Sequence, residues 1–312
     1  MFAAEGLRVN LHREPGWATI RDKIIFGEID AAHSIAGLAI SMAYGVAAPR
    51  QSCVTGFLFN THGNAITLSS ALVDAGVHDA ASLVRFAETN RRNKPVVLAV
   101  VHSFSTHHFL IHAWLRSVAA TTEKPVRLIV LPPPLVVRNL ELGHIDGFCA
   151  GEPYNSLAEE KGIGKIVAWS QTLAPFHPEK ALIVRTEFAE KRAEQHLALI
   201  RVLDKACAFC DDPVNRGTIC ELLSSPKYLG IPRSSLEYCL SPDRDPKGLN
   251  HIYHQPNVNC PSLDKAEWLI NEMVQAGLVK PEHLAGGPKP ADIFREDIYK
   301  EALDLDSVAA VS

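Results

Sequence analysis

One passage of this chain occurs twice, and that constrains the fold more than any other feature. Residues 16–34 read GWATIRDKIIFGEIDAAHS and residues 132–150 read PPPLVVRNLELGHIDGFCA. Without a gap, Gly27 falls on Gly143, Ile29 on Ile145 and Asp30 on Asp146, a constant offset of 116 residues. Apolar positions recur at helical spacing in each copy: Ile20, Ile24 and Ile25 in the first, Val136, Leu140 and Leu142 in the second. The shared glycine stands where a helix ends in a left-handed residue, and Ile-Asp with small residues after it suits a buried parallel strand. Each copy therefore reads as loop, helix, strand, and two copies predict two α/β lobes with a ligand cleft between them. Ligands of such sheets sit beyond the carboxyl ends of the strands, so Ala32-His33-Ser34 and Phe148-Cys149-Ala150 are expected to face the cleft.

A length of 312 residues suits two domains that each bury a core. The net charge of −4 gives no electrostatic footprint for nucleic acid, so no direct nucleic-acid partner is expected. No apolar run approaches the ~20 residues of a membrane span. The opening MFAAEGLRVN has no basic flank before an apolar core and no lipid-attachment cysteine, so no export signal is read there. Seven cysteines, an odd number dispersed through a long chain, read as reduced thiols rather than a disulfide framework. Together these predict a cytoplasmic location.

Along the chain, Ser52–Asn60 reads as a strand, THGN as a turn and Ala65–Ala75 as a strand or the start of a helix. Ser82–Asn90 reads as a helix, KPVVLAVV as a buried strand, and SFSTHHFLIHAWL as a turn into an amphipathic helix capped by Ser105 or Thr106. Beyond Gly151 come a capped helix, two strands and a mostly helical remainder. With no linker composition anywhere, the lobes are expected to join through crossing strands, with hinges near residues 95 and 185. The predicted organisation is lobe one from 1–95, lobe two from 96–184, and a return to lobe one with the C-terminal helices over 185–312.

The string LPPPLVVxNLELGxIDGFxAGEPYN followed by HPEKAL resembles the nitrate-binding and bicarbonate-binding branch of the type II periplasmic binding proteins. The resemblance runs from Phe2 to about Leu305, and the GEPxN and HPEK blocks together make it specific. It implies an α/β, two-lobed fold with a central ligand cleft, in which relatives carry a further strand and helix ahead of this chain's start. It also implies a non-catalytic binder of a small oxyanion, with no cofactor and no metal. By position, the nitrate pocket of that branch carries over to Trp17, Asn64 in NTHGN, His107 in STH, Pro133 within the proline triplet, and Lys180 in HPEK. Thr106, Glu152 and His33 are secondary candidates, and Asn64 is shorter than the glutamine usual at its position.

The chemistry of these residues agrees with that resemblance. Nitrate is planar, offers three acceptor oxygens and has no proton to give, so its site needs donors only. Lys180 supplies a charge, His107 a ring N–H, Trp17 an indole N–H and Asn64 an amide. His107 also stands where a helix begins, which attracts anions. Bicarbonate carries a hydroxyl and calls for an acceptor, which Glu179 could provide. Each residue has a plainer reading as well: Trp17 as packing, Lys180 as a solvated flank, Asn64 as turn chemistry, the prolines as a stiff connection and Glu152 as a helix cap. Of His107, His108 and His112, only the last two lie a clean helical turn apart, so a metal site is not expected. Cys207 and Cys210, spaced C-x-x-C within a helical pattern, read as helical cysteines.

Three functions follow from these readings. The first is a nitrate or nitrite sensor that controls a partner antiterminator of nitrate assimilation. The second is the substrate-binding subunit of a nitrate or bicarbonate ABC importer, partnered by the transporter's permease and placed in the periplasm or on the membrane. The third is an enzyme on the scaffold of the thiamine-pyrimidine synthases using Cys149 and His107, disfavoured because no oriented base accompanies a nucleophile.

Overall fold

A computed structural model describes residues 1–90, 94–118, 126–247 and 249–305. The chain divides into two compact units, one of residues 1–61, 177–212 and 252–312, the other of residues 62–176 and 213–251.

The first unit carries a four-stranded sheet. Its strands are β1 (Ala31–Ile35), β2 (Cys53–His62), β8 (Lys180–Arg185) and β9 (His251–Ile252), in the order β1-β8-β2-β9. β8 runs antiparallel to both β1 and β2, and Lys180 stands opposite Ile35 on one side and Asn60 on the other. Under the sheet, Val54, Phe57, Leu182 and Val184 pack against Ile200, Cys207 and Tyr299 from the C-terminal helices. The second unit carries β3 (Asn64–Ser69), β4 (Val96–Val100), β5 (Val126–Val130), β6 (Gly147–Gly151) and β7 (Gly164–Trp169), in the order β5-β4-β6-β3-β7. There β4 is parallel to β5 and β6, whereas β3 is antiparallel to β6 and β7.

The doubled passage folds twice in the same way. Its helices are Trp17–Phe26 and Pro133–Glu141, its glycines Gly27 and Gly143 adopt φ of 73° and 67°, and its strands are β1 and β6. The offset of 116 residues carries Trp17 onto Pro133, Ala31 onto Gly147 and Ile35 onto Gly151, so helix starts and strand bounds coincide. The shared aspartate is scaffold in the second copy: Asp146 accepts from the Val97 amide at 2.9 Å and its own amide donates back to Val97 at 2.8 Å, pinning β6 beside β4.

Three expectations are corrected here. The strand of the first copy is antiparallel to its neighbour, because the chain returns to it through β8 rather than through a crossover helix. Both strands start later than Ile-Asp, so His33 and Cys149 lie within strands, and Phe148-Cys149-Ala150 is buried inside β6 rather than lying beyond its end. The unit boundaries fall at 61/62, 176/177, 212/213 and 251/252, not near 95 and 185, since β3 pairs with β6 and β7 and so builds the second sheet and residues 213–251 belong to the second unit. The THGN turn is the first of these crossings. His62 and Gly63 take φ of 60° and 72°, and a Cβ on Gly63 would stand 2.4 Å from the His251 ring, so only glycine fits. The expected strand or helix over Ala65–Ala75 is both: β3, then the helix Ser70–Asp74, whose N-cap Ser69 accepts from the Leu72 amide.

Candidate functional site

On the first unit, the predicted residues Trp17, His33 and Lys180 come together. Trp17 opens its helix after Gly16, whose extended backbone (φ −169°) turns the chain in. Lys180 opens β8, and its Nζ lies 5.5 Å from the centre of the Trp17 ring. The His33 ring is 6.3 Å from that of Trp17 and meets Phe59 edge-on at 4.6 Å. Lys180 is ion-paired with its neighbour Glu179, a carboxylate only 1% exposed, while the lysine side chain keeps 16% exposure. Trp17 Nε1 is buried with no hydrogen-bond partner among the described residues. Such a donor costs about 1–3 kcal/mol if left unmade, and beside an ammonium it is chemistry aimed at an acceptor-bearing anion. His33 keeps an exposed face, yet withdrawal of water by surrounding protein, with the Lys180 charge adding to it, lowers its pKa to about 4. At neutral pH it is a neutral ring.

On the second unit, Asn64 and His107 form a bonded pair, Oδ1 to Nε2 at 2.9 Å, with side chains 0% and 2% exposed. An amide oxygen only accepts, so His107 Nε2 carries the proton. In this arrangement the ring N–H is turned to the Asn64 oxygen. Asn64 opens β3 opposite Gly151, and a Cβ on Gly151 would stand 3.3 Å from Asn64 Oδ1 and 3.9 Å from His107 Nε2. Thr106 and His107 are the first residues of the helix Thr106–Arg116, whose N-cap Ser105 accepts from the His108 amide. Pro133 is the first residue of its own helix and half-buried.

Glu152 takes its plainer role. Its Oε2 accepts from the Ser156 amide at 3.2 Å, capping the helix Tyr154–Glu160, and from the Cys239 thiol at 3.5 Å. Burial, only partly offset by the Ser156 bonds and by Arg244, raises its pKa to about 7. Cys149 is fully buried in β6. His112 Nε2 meets His108 Nε2 at 2.9 Å and His108 Nδ1 meets the Ser103 carbonyl; among the described residues no group of three or more metal-ligating side chains assembles. Cys207 and Cys210 lie in the helix Ala193–Asp211, with burial raising both thiol pKa values. Sequence reasoning passed over Trp169 and Ser170, whose Nε1 and Oγ are buried and have no partner among the described residues. A serine between strand and helix gives no signal in sequence beyond its junction.

The profile of the NMT1-like family matches residues 1–224. Among curated relatives, the nitrate import ATP-binding protein NrtC of Synechocystis sp. PCC 6803 is 34% identical over 290 residues, covering 89% of this chain and 43% of NrtC. The chain thus spans less than half of that relative's length. The nitrate/nitrite binding protein NrtA of Synechococcus elongatus is 26% identical, covering 97% of the chain and 72% of NrtA, and the bicarbonate-binding protein CmpA of the same organism is 25% identical, covering 96% and 72%. The crystal structure of the periplasmic nitrate-binding protein NrtA from Synechocystis PCC 6803 superposes with a TM-score of 0.83 at 23% identity, over 95% of this chain and 80% of that one. These relatives overturn the expected cytoplasmic location, since the NrtA whose fold this chain shares is periplasmic. The thiols argue nothing against it: five of the seven cysteines are buried, so their number is no reading of compartment.

Proposed function

Because this chain belongs to the NMT1-like family, we propose that it captures a small oxyanion of the nitrate, nitrite or bicarbonate class as the solute-binding component of an ABC importer, with a transporter permease as partner. The observation that carries this is the buried Trp17 N–H without a partner among the described residues, next to the Lys180 ammonium. Lys180 and Trp17 recognise charge. Asn64, held by His107, is a neutral polar contact, with Thr106 beside His107 and Pro133 at the start of its own helix as further candidates. His33 contributes a neutral ring, and Glu152 acts as a helix cap rather than a ligand. The importer reading takes the place of the sensor reading, because the relatives are named as binding proteins and ATP-binding components of nitrate and bicarbonate transport.

Calorimetry of the purified chain with nitrate, nitrite and bicarbonate tests this. Heat with at least one of them, lost in Lys180→Ala, is the expected result; no heat with any of the three overturns the proposal. Bicarbonate has its own support in Glu179, a buried carboxylate paired with Lys180 and able to accept a ligand hydroxyl. Preference for bicarbonate over nitrate that reverses in Glu179→Gln would assign the site to the protonated oxyanion.

A further inference from the structure

We infer that the first unit carries a second small-molecule site, for a dicarboxylic amino acid, separate from Lys180 and independent of the oxyanion reading. A pocket of about 270 Å³ opens where the start of β2, the residue after β8 and the helix Pro290–Ile293 meet. All of its lining residues belong to the first unit. Lys180 opens β8 and Thr186 follows its last residue, so six strand steps of about 3.3 Å put the pocket about 20 Å from Lys180 along the sheet. Its volume stands at the small end of ligand pockets, which suits an amino acid rather than a nucleotide.

Backbone bonds join the walls. Thr186 donates its amide to the Ser52 carbonyl at 3.2 Å, Arg295 donates its own to the Thr55 carbonyl at 2.9 Å, and the Tyr44 hydroxyl donates to the Pro288 carbonyl at 2.8 Å. Val54, Pro288 and Ile293 add apolar surface on which methylene groups can rest. The charged groups of the lining are Arg50, Arg295 and Asp292, and they stand together without pairing. Among the described residues the exposed Arg50 makes no ion pair, and Asp292 makes none with either arginine. Yet the three are near one another. Burial and then the Asp292 charge raise the Tyr44 pKa, Arg50 opposes them, and Asp292 also acts on Arg295. Asp292 commits Oδ2 to the Lys289 amide at 2.8 Å and keeps Oδ1. Arg295 is forked onto Asp297 through Nε at 2.8 Å and Nη2 at 2.5 Å, which leaves Nη1. Ser52 and Thr186 share one hydroxyl bond of 2.8 Å, so one of their two hydroxyl protons is uncommitted.

Two cations and one anion in a single pocket are the complement of a molecule with two carboxylates and one ammonium. Arg50 and Arg295 Nη1 each take a carboxylate, with the spare hydroxyl as a further donor, and Asp292 takes the ammonium. A simple oxyanion would meet Asp292 as a like charge, so this pocket does not duplicate the first site.

Calorimetry of the full chain with L-glutamate, L-aspartate, glutarate and nitrate tests this. The expected result is heat with at least one amino acid, bound about tenfold or more tighter than glutarate, which lacks the ammonium. Arg50→Gln, at an exposed position, should weaken the amino acid about tenfold and leave nitrate affinity unchanged. Asp292→Asn keeps an oxygen for the Lys289 amide and so keeps the helix cap; it should weaken the amino acid and strengthen glutarate. No heat with either amino acid, glutarate bound as tightly as the better one, or amino-acid affinity that both variants retain overturns the inference. Competition between the amino acid and nitrate overturns it too, since both would then sit at Lys180. Amino-acid binding without binding of nitrate, nitrite or bicarbonate would leave this inference standing while the oxyanion reading falls.

Discussion

The two units carry donor sets of opposite character. On the first, Lys180, Glu179, Trp17 and His33 bring a formal charge pair and a buried indole N–H; on the second, Asn64 and His107 form a hydrogen-bonded side-chain pair beside Gly151. The same contrast marks the two copies of the repeat, where the first helix opens on Trp17 and the second on Pro133 at the same backbone position. Scaffold has been duplicated while chemistry has diverged at its leading edge. Charge supplies affinity at range, and neutral donors in fixed geometry supply selectivity among anions of equal charge.

If the charged set dominates affinity, Lys180→Ala gives the largest effect. Anion affinity should fall about a hundredfold or more by calorimetry. The variant should also lose about 3 kcal/mol in denaturant unfolding, the usual cost of breaking a buried pair by removing one partner. Lys180→Ala combined with Glu179→Gln should recover stability and not binding. Equal affinities for the unaltered chain and Lys180→Ala would erase the contrast between the units.

Trp17→Phe comes next, because it keeps an aromatic face beside Lys180 and removes only the N–H. Affinity should drop about tenfold with unliganded stability unchanged, since the lost donor has no partner among the described residues to abandon. An unchanged affinity would return Trp17 to its packing role and leave Lys180 as the whole of the first set.

Electrostatics inside the second unit offers a smaller effect, away from the ligand. Glu152, capping Ser156 near Cys239 and Arg244, has a folded pKa of about 7, raised by burial from an ordinary 4.5. A carboxyl raised on folding gives stability that is full below about 4.5 and is lost as pH rises through 7. Glu152→Gln should therefore flatten unfolding stability across that window by about 1 kcal/mol, a value reduced for the group's residual exposure. A Glu152→Gln profile that still declines from pH 4.5 to 7 would show that the carboxyl is ordinary.

How far the sequence disclosed this contrast depends on the residue. Gly27 and Gly143 could be read directly, since a left-handed helix end leaves a residue signature, and the offset made the helix starts and strand bounds of the two copies agree with each other. Strand direction could not be read, because β1 and β6 have similar local composition and only the distant partner, β8 or β4, decides it. The unit boundary at Thr61 was hidden for the same reason: β2 and β3 are separated by Gly63 alone, and which sheet each joins is a long-range fact. Trp17 and Lys180 were found through a recognised motif. Ser170 had none: its buried Oγ, without a partner among the described residues, is visible only in the structure.

Gly151→Ala probes the Asn64–His107 pair with the smallest change. Gly151 adopts no left-handed backbone conformation, so alanine adds no backbone strain, and the lower freedom of the unfolded chain should leave unliganded stability equal or slightly higher. The new methyl would stand 3.3 Å from Asn64 Oδ1, tight enough to displace the amide by a few tenths of an ångström. About a threefold weaker affinity is expected, in the same direction for nitrate and bicarbonate because both approach the same donors. A variant more stable than the parent and weaker in binding would show that the glycine is kept for the ligand's sake rather than the fold's. A variant unchanged in affinity would place the anion away from Gly151.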